Sequence, residues 1–226
     1  MSGMAIRPIS TTEAVVASVR EQILDGDIAP GTPLPELELA STYGVARPTV
    51  RAAIQTLCHL GLLVREPNRS AHVPALTPEA VRDIYFVRIP LECFIVRTVI
   101  ERKAPLDGVR ESVARMESLP SSAGWSQMVA ADLAFHAALA RAVGSPRLER
   151  LHASLGGDIQ LCVAQLRPAW GTPAELGREH HEVLDVISTG TAAQAEARMT
   201  AHLERAVRDL TLPRAEPRPV RRRRRA

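Results

Sequence analysis

The chain has 226 residues, of which 46% are hydrophobic and only 3% aromatic, and this composition favours two helical domains packed through Leu, Val, Ile and Ala over a β-sandwich. Its three cysteines are too far apart for a disulfide framework or a CxxC metal site, and no stretch reaches the ~18 consecutive apolar residues of a membrane span, so the sequence predicts a cytoplasmic protein without a secretion signal. The net charge of +3 does not by itself indicate nucleic-acid binding, because the seven arginines and one glutamate of residues 214–226 contribute +6 and the rest of the chain is slightly acidic.

Three helices are predicted in the N-terminal third of the chain. The first spans residues 12–24, where apolar residues recur with a helical period, and Thr11 or Thr12 caps its start. The second spans residues 36–43 after a turn-rich connector, and Gly44 supplies the positive φ for a sharp turn into the third. The predicted buried residues of the second helix are Leu37, Leu39 and Ala40.

The third helix begins near Arg47 and has the features of a DNA-reading helix. Its buried stripe consists of Val50, Ile54 and Leu57. Arg47 and Arg51 lie off this stripe, and an arginine at the start of a helix in the major groove can donate two hydrogen bonds to guanine. Arg47 is the candidate base reader, Arg51 a candidate for a base or a phosphate, and Thr49 a candidate for a phosphate. In the alternative interpretation, both arginines are ordinary surface charges.

A small β-hairpin is predicted after the third helix, which ends at Gly61. Residues 62–64 and 71–73 form its strands, and a polar turn that contains Arg69 joins them. A hairpin in this position is a wing, whose tip can reach the phosphate backbone or the minor groove. Arg69 is therefore the candidate contact of the wing.

Residues 12–75 resemble the winged helix-turn-helix of the GntR family of transcriptional regulators. The matching segments are Ile23-Leu24-Asp25-Gly26, Pro30-Gly31, Leu39-Ala40, Gly44-Val45, Arg47-Pro48-Thr49-Val50-Arg51, Leu57, Gly61-Leu62 and Pro67-Asn68-Arg69. Two positions depart from the family pattern, which has glutamate in place of Ala52 and glycine in place of Ser70. The resemblance implies contacts to double-stranded operator DNA at Arg47, Thr49, Arg51 and Arg69. A homodimer with two reading helices would match a palindromic operator.

Beyond residue 75 the pattern changes to long helices joined by short breaks. The predicted fold is mostly α, with an N-terminal winged helix-turn-helix over residues 1–75 and a C-terminal antiparallel α-helical bundle over residues 76–213. Pro90 should kink or divide the first bundle helix, and Gly156-Gly157 should loosen the fourth. Residues 214–226 form a basic tail that we expect to be disordered. The predicted bundle helices span residues 79–102, 106–118, 125–143, 146–165, 173–188 and 192–210.

Four polar side chains fall on bundle helix faces that should be apolar. Asp132 and His136 share one stripe at i, i+4, and His180 and His202 lie on the inward stripes of two later helices. A single inward histidine is usually a hydrogen-bonded core residue. Burying one carboxylate and three imidazoles together is costly, however, and one divalent cation would satisfy all four. Three nitrogens and one oxygen suit Zn, Ni, Mn or Fe, with Zn expected first, and leave open coordination positions.

Arg88 lies on the inward stripe of the first bundle helix. A buried guanidinium favours a carboxylate that accepts two hydrogen bonds, and the carboxylate of an effector would provide this. The alternative is an i, i+4 ion pair with Glu92. His152, on the inward stripe of the fourth predicted helix, is a further candidate for lining a pocket.

Residues 80–210 resemble the effector domain of the FadR-like branch of the GntR family, which is all-helical and often binds a metal and small carboxylates. The resemblance implies an effector contact at Arg88 and metal ligands at Asp132, His136, His180 and His202. The matching segments are Asp132-Leu133-Ala134-Phe135-His136, Gly144, Leu148, Glu179-His180, Leu184, Ile187 and Met199-Thr200-Ala201-His202-Leu203.

The sequence therefore predicts a DNA-binding transcriptional regulator whose operator affinity is controlled by a small organic acid at a divalent-metal site. In a second hypothesis the metal ion itself is the signal. A third is a metalloenzyme, because histidines and a carboxylate around an open metal position also occur in hydrolases and iron oxygenases. The sequence has no HExxH motif and no nucleophile elbow, and an enzyme would leave the helix-turn-helix without a role.

Overall fold

The computed structural model describes residues 10–165 and 171–211, and the predictions for residues 1–9 and 214–226 lie outside these ranges. The mostly helical fold class is confirmed within them. None of the helices in the described residues is long and apolar enough to cross a membrane.

The elements are α1 (Thr11–Asp25), β1 (Pro33–Leu34), α2 (Glu36–Tyr43), α3 (Arg47–His59), β2 (Ala71–His72), α4 (Pro78–Glu101), α5 (Asp107–Glu117), α6 (Trp125–Ala142), α7 (Pro146–Ser154), α8 (Gly156–Gln165), α9 (Pro173–Thr189) and α10 (Ala192–Thr211). We call α1–α3 with the two strands the head, and α4–α10 the bundle.

The first helix begins one residue earlier than the sequence predicts, because Ser10 rather than a threonine caps it. The Ser10 hydroxyl accepts a hydrogen bond from Glu13 N at 3.1 Å, and the Glu13 carboxylate accepts one from Ser10 N at 2.8 Å. These reciprocal bonds form a capping box, which satisfies two backbone N–H groups at the helix start. Gly26, with φ of 81°, ends the helix.

The apolar stripe of α3 packs into the head as its periodicity predicts. The stripe and its partners from α1 are buried together: Val50, Ile54 and Leu57 with Val15, Val19 and Ile23. The prediction for α2 is wrong at Leu37, which is 72% exposed. Glu36 is buried in its place, because three arginine side chains surround its carboxylate.

The wing differs from a simple hairpin. The connector strand β1 pairs antiparallel with β2, with Pro33 opposite His72. The predicted first strand of the hairpin contributes only one bridge, from Val64 to His72. A two-residue strand that contains proline has no alternating pattern, so the sequence could not reveal β1. The wing is thus held to the start of α2 as well as to the end of α3.

The bundle helices follow the predicted bounds closely, with two differences. Helix α4 is not divided at Pro90, which is exposed. The missing N–H of this proline leaves the carbonyl of Phe86 on the solvent side, where water can solvate it. The helix predicted over residues 146–165 is two helices, α7 and α8, which meet at Leu155 before the two glycines.

The head and the bundle are in direct contact. The Asp25 carboxylate at the end of α1 accepts a hydrogen bond from Ser126 N at 3.0 Å in α6. Leu161 of α8 is buried in the core of the head. Gly157 approaches the backbone of the head so closely that a Cβ at this position would overlap the Leu60 carbonyl oxygen. A glycine is therefore required where α8 meets the head.

Gly157→Ala is expected to lower the free energy of unfolding by about 1–3 kcal/mol, because the added methyl group forces the head and α8 apart. The matched control is Gly156→Ala, since a Cβ at Gly156 would have open space around it. Chemical denaturation of both variants and the wild type measures the difference. Equal stability of the two variants would show that the contact at Gly157 relaxes without cost.

Candidate functional site

The four predicted metal ligands come together inside the bundle. Helix α6 carries Asp132 and His136 one turn apart, α9 carries His180, and α10 carries His202. All four side chains are buried. One ligand atom from each residue lies within 4.8 Å of the ligand atoms of the other three. This arrangement could hold a metal ion, and it is the convergence that the helical periodicity predicts.

Each histidine of the cluster has an oxygen atom close to its Nδ1 atom. The Nδ1–H of His180 donates to the carbonyl oxygen of Leu176 at 2.9 Å, which leaves its Nε2 with a lone pair. His202 Nδ1 lies 3.1 Å from Glu179 Oε1, and His136 Nδ1 lies 3.1 Å from Glu92 Oε1. Partners on the far ring nitrogen fix the tautomer and orientation of metal-binding histidines. The Nε2 atoms of His180 and His202 are thereby left for a shared cation, while both ring nitrogens of His136 remain without a hydrogen bond among the described residues.

Several polar atoms at the centre of this cluster have no hydrogen-bond partner among the described residues. These atoms are Asp132 Oδ2, both ring nitrogens of His136, and His180 Nε2. His180 Nε2 and His136 Nε2 lie 3.1 Å and 3.9 Å from the other Asp132 oxygen. Leaving buried polar groups unsatisfied is unfavourable, and a cation bound among them would remove the cost. The residues therefore fit a divalent ion.

The protonation states in the cluster also suit a cation. Burial alone would raise the pKa of Asp132, but the close imidazoles of His180 and His136 and the Arg88 guanidinium hold it below its ordinary value. Burial lowers the pKa of His136 and lowers that of His202 to about 4. An ionised carboxylate and neutral imidazoles are the forms that bind metal.

The low pKa of His202 predicts a pH dependence of stability in the metal-free protein. His202 is protonated below about pH 6.5 in the unfolded chain but only below about pH 4 in the folded chain. The free energy of unfolding is therefore highest above about pH 6.5 and falls as the pH decreases. Between about pH 7 and about pH 5 we expect a loss of roughly 2 kcal/mol. Urea denaturation in the presence of chelator measures it. The His202→Asn variant has no titrating group at this position, so its free energy of unfolding should fall less than that of the wild type between these pH values. An equal fall in both would exclude His202 as the cause.

Arg88 is buried beside this cluster in α4. Its NH1 donates to the Tyr85 hydroxyl at 3.2 Å, and its Nε lies 3.5 Å from Glu92 Oε1. The ion pair with Glu92 therefore exists, but Nε and NH2 of Arg88 make no hydrogen bond within the described ranges. The guanidinium keeps unused donors for a further carboxylate.

In the sequence, Glu92 stands out only as the i, i+4 partner of Arg88, but in the structure it has further contacts. Its Oε1 lies 3.1 Å from both His136 Nδ1 and His152 Nε2, and its side chain is fully buried. Glu92 thus links Arg88 to a predicted metal ligand and to His152. The i, i+4 spacing from Arg88 was the available signal, but the two histidines come from other helices and could not be assigned from spacing.

The three arginines predicted to contact DNA lie near one groove of the head: Arg47 and Arg69 line it together with Glu36, and Arg51 contacts Glu36. Arg47 and Arg51 are exposed at the start of α3, Thr49 is half-buried between them, and Arg69 is exposed near the wing tip. Arg69 NH1 is 2.9 Å from the Glu66 carboxylate. Arg65, which no pattern in the sequence indicated, is an exposed residue of the wing. Its guanidinium contacts the same Glu36 carboxylate as Arg47 and Arg51.

Two known protein families match the two parts of the chain. Residues 11–73 match the family described as "Bacterial regulatory proteins, gntR family". Residues 83–205 match the "FCD domain", which therefore covers more than half of the chain. The matched ranges contain all the predicted DNA-contacting and metal-ligating residues.

Curated relatives and a solved structure agree with these matches. The HTH-type transcriptional regulator LutR of Bacillus subtilis (strain 168) is 26% identical over 204 residues, covering 80% of this chain and 92% of that protein. A probable D-xylose utilization operon transcriptional repressor of Paenarthrobacter nicotinovorans is 25% identical, covering 85% of this chain and 87% of that protein. The crystal structure of a putative GntR transcriptional regulator from Rhodococcus sp. RHA1 has a TM-score of 0.76 and 28% identity, covering 90% of this chain and 99% of that chain.

The predicted resemblance is thus confirmed, as is the prediction of a regulator rather than an enzyme. Both parts of the chain are accounted for, since the head matches the DNA-binding family and the bundle matches the FCD domain. The chain belongs to the GntR family and is a DNA-binding transcriptional regulator with an FCD effector domain.

Proposed function

We propose that the affinity of this regulator for its operator is controlled by a small organic acid, which binds at a divalent cation held by Asp132, His136, His180 and His202. The observation that carries this proposal is the buried cluster itself, in which several central atoms of three imidazoles and one carboxylate have no hydrogen bond to any described residue. A bound cation supplies open coordination positions for an oxygen ligand. Zn is the expected ion, and Ni, Mn or Fe would accept the same donors.

Arg88 provides the second anchor for the acid. Its guanidinium is connected to His136 through Glu92, whose Oε1 lies 3.5 Å from Arg88 Nε and 3.1 Å from His136 Nδ1. The unused donors of Arg88 would bind a carboxylate that reaches the cation from this side. An acid with two oxygen-bearing groups would engage both anchors, and the buried surroundings would strengthen both interactions.

The head would read DNA through the residues that the sequence indicates. Arg47 binds a base edge in the major groove, Arg51 a base or a phosphate, and Thr49 a phosphate, while Arg69 reaches the backbone or minor groove from the wing. The exposure of the three arginines, with Arg47 and Arg69 lining the same groove, supports these roles. The regulator would act in the cytoplasm, where bacterial DNA is found.

A homodimer on a palindromic operator is part of the proposal. Helix α4 exposes Phe86 (78%) and Phe94 (46%), with Val87 and Pro90 beside them, although the whole chain has only three phenylalanines. An apolar face of this kind is suited to a second copy of the same chain. The opposite face of α4 holds Arg88 and Glu92, so the effector site would lie next to the dimer interface.

Phe86→Glu is expected to convert the dimer to a monomer, because it places a charge at the centre of the exposed α4 face. Operator affinity should fall by roughly 100-fold or more, since the two heads no longer bind as a linked pair. Sedimentation equilibrium measures the oligomeric state. Leu37→Glu, at an equally exposed apolar residue of the head, should leave the mass unchanged. A dimeric Phe86→Glu variant would place the interface elsewhere.

The proposed function is tested by operator binding with the metal and the acid varied separately. We expect a carboxylate from a panel of small organic acids to change operator affinity only when the metal is present. If the metal changes affinity to the same extent without any acid, the ion itself is the signal. If neither changes operator affinity, the proposed control is wrong.

A further inference from the structure

One carboxylate lies beneath the predicted DNA-contacting surface. Glu36, the first residue of α2, has a side chain that is only 7% exposed. Arg47 Nε and Arg51 Nε lie 3.2 Å and 3.3 Å from its Oε2, and Arg65 NH2 lies 3.0 Å from its Oε1. The three arginines come from two different parts of the head, because the first two belong to α3 and the third to the wing.

The three guanidinium groups keep much of their surface free. Their side chains are between 40% and 61% exposed, so each contacts Glu36 on one side and faces solvent on the other. Arg65 also donates through Nε to the backbone carbonyl of Arg69 at 3.3 Å, which connects this cluster to the tip of the wing. The result is one cationic surface that spans the start of the reading helix and the wing.

We propose that Glu36 is a positioning residue for DNA recognition, and that Arg65 is an additional DNA-contacting residue that binds a phosphate. Glu36 holds the arginines of α3 and the arginine of the wing in one arrangement before DNA arrives. This inference rests on the proposed base-reading role of Arg47. It goes further by assigning specificity to a buried acid that does not touch DNA.

Glu36 is expected to affect general DNA affinity and sequence preference in opposite directions. A carboxylate near the phosphate backbone is repulsive to DNA, so Glu36 does not contribute to general affinity. Its contribution is that three long side chains are already ordered and matched to one register, which favours the correct sequence over others. Removing the charge should therefore raise affinity for random DNA while it lowers the preference for the operator.

The test compares Glu36→Gln and the wild type as full-length chains, each bound to two probes. One probe is the duplex enriched from a random-sequence library by the wild-type chain, and the other is a random duplex of equal length. We expect Glu36→Gln to bind the random duplex severalfold more tightly and its ratio of specific to random affinity to fall about tenfold. Glu38→Gln is the matched control, because it removes the same charge from an exposed position of the same helix. It should leave the ratio unchanged.

Arg65→Ala tests the second half of the proposal. A phosphate contact predicts a similar loss of affinity on both duplexes and a reduction of about one in the slope of log affinity against log salt. If the affinity and the slope were both unchanged, Arg65 would not contact DNA.

Three further outcomes overturn the positioning role. If Glu36→Gln and Glu38→Gln had the same ratio of specific to random affinity, only the net charge of the head would affect DNA binding. A parallel loss on both duplexes, with a lower melting temperature, would show that Glu36 only supports the fold. If neither Glu36→Gln nor Arg47→Ala changes the ratio of specific to random affinity, the base-reading role of Arg47 fails and the positioning role of Glu36 fails with it. If Arg47→Ala lowers this ratio and Glu36→Gln does not, only the positioning role of Glu36 fails.

Discussion

Chelation of the proposed cation is expected to lower the melting temperature of the wild-type chain by roughly 8–16 °C. A metal present at a thousand times its dissociation constant stabilises the folded state by about 4 kcal/mol, and each kcal/mol corresponds to about 2–4 °C for a chain of this size. The ligands come from α6, α9 and α10, so losing the ion removes a link between three helices. It also leaves the buried Asp132 carboxylate and three imidazoles without their shared partner.

The same experiment on His180→Ala separates metal loss from a general effect of the chelator. This variant lacks one of the four ligands, so its melting temperature should be low already and change little on chelation. His181→Ala is the matched control, because His181 is exposed and interacts with Glu117 outside the cluster. It should respond to chelator as the wild type does. A wild-type chain whose melting temperature does not change on chelation would show that the four residues are stable without an ion.

Arg47→Ala is expected to cost about 1–3 kcal/mol of binding free energy on the specific operator and to relax the preference at one base pair in each half-site. The fold should be unaffected, because Glu36 keeps its ion pairs with Arg51 and Arg65 when Arg47 is removed. Competition binding against operators substituted at each position measures both effects. Affinity for random duplex should fall by a smaller factor.

Arg82→Ala removes an equal charge from an exposed position on α4 and serves as the control for Arg47→Ala. It should change neither the specific nor the random affinity by more than the general charge effect. If Arg47→Ala weakened binding to operator and random duplex by the same factor, Arg47 would be a phosphate contact and base reading would have to be assigned to another residue.

Periodicity was sufficient to predict most helices and the inward orientation of each metal-ligand candidate. The i, i+4 spacing of Asp132 and His136 placed both on one face of α6, and the apolar neighbours of His180 and His202 placed these on inward faces. Each of these inferences uses residues of a single helix. Local patterns of this kind do not depend on how the helices are arranged.

The features that the sequence did not predict depend on contacts between distant segments. Glu36 is buried because arginines from α3 and the wing surround it, so its apolar neighbour Leu37 was the better candidate by hydrophobicity alone. Glu92 lies against His136 and His152, which belong to other helices. The strand β1 exists because β2 pairs with it, although its own sequence favours a turn. Tertiary context decides each of these cases.

The measurement that tests the central claim most directly is the metal content of purified protein by elemental analysis. Wild-type chain, His180→Ala and His181→Ala would each be supplied with Zn, Ni or Mn and freed of unbound ion. We predict about one ion per chain in the wild type and in His181→Ala, and a large loss in His180→Ala. Equal metal content in the wild type and His180→Ala, or no metal in either, would contradict the proposed site and leave Asp132, His136, His180 and His202 as hydrogen-bonded residues of the core.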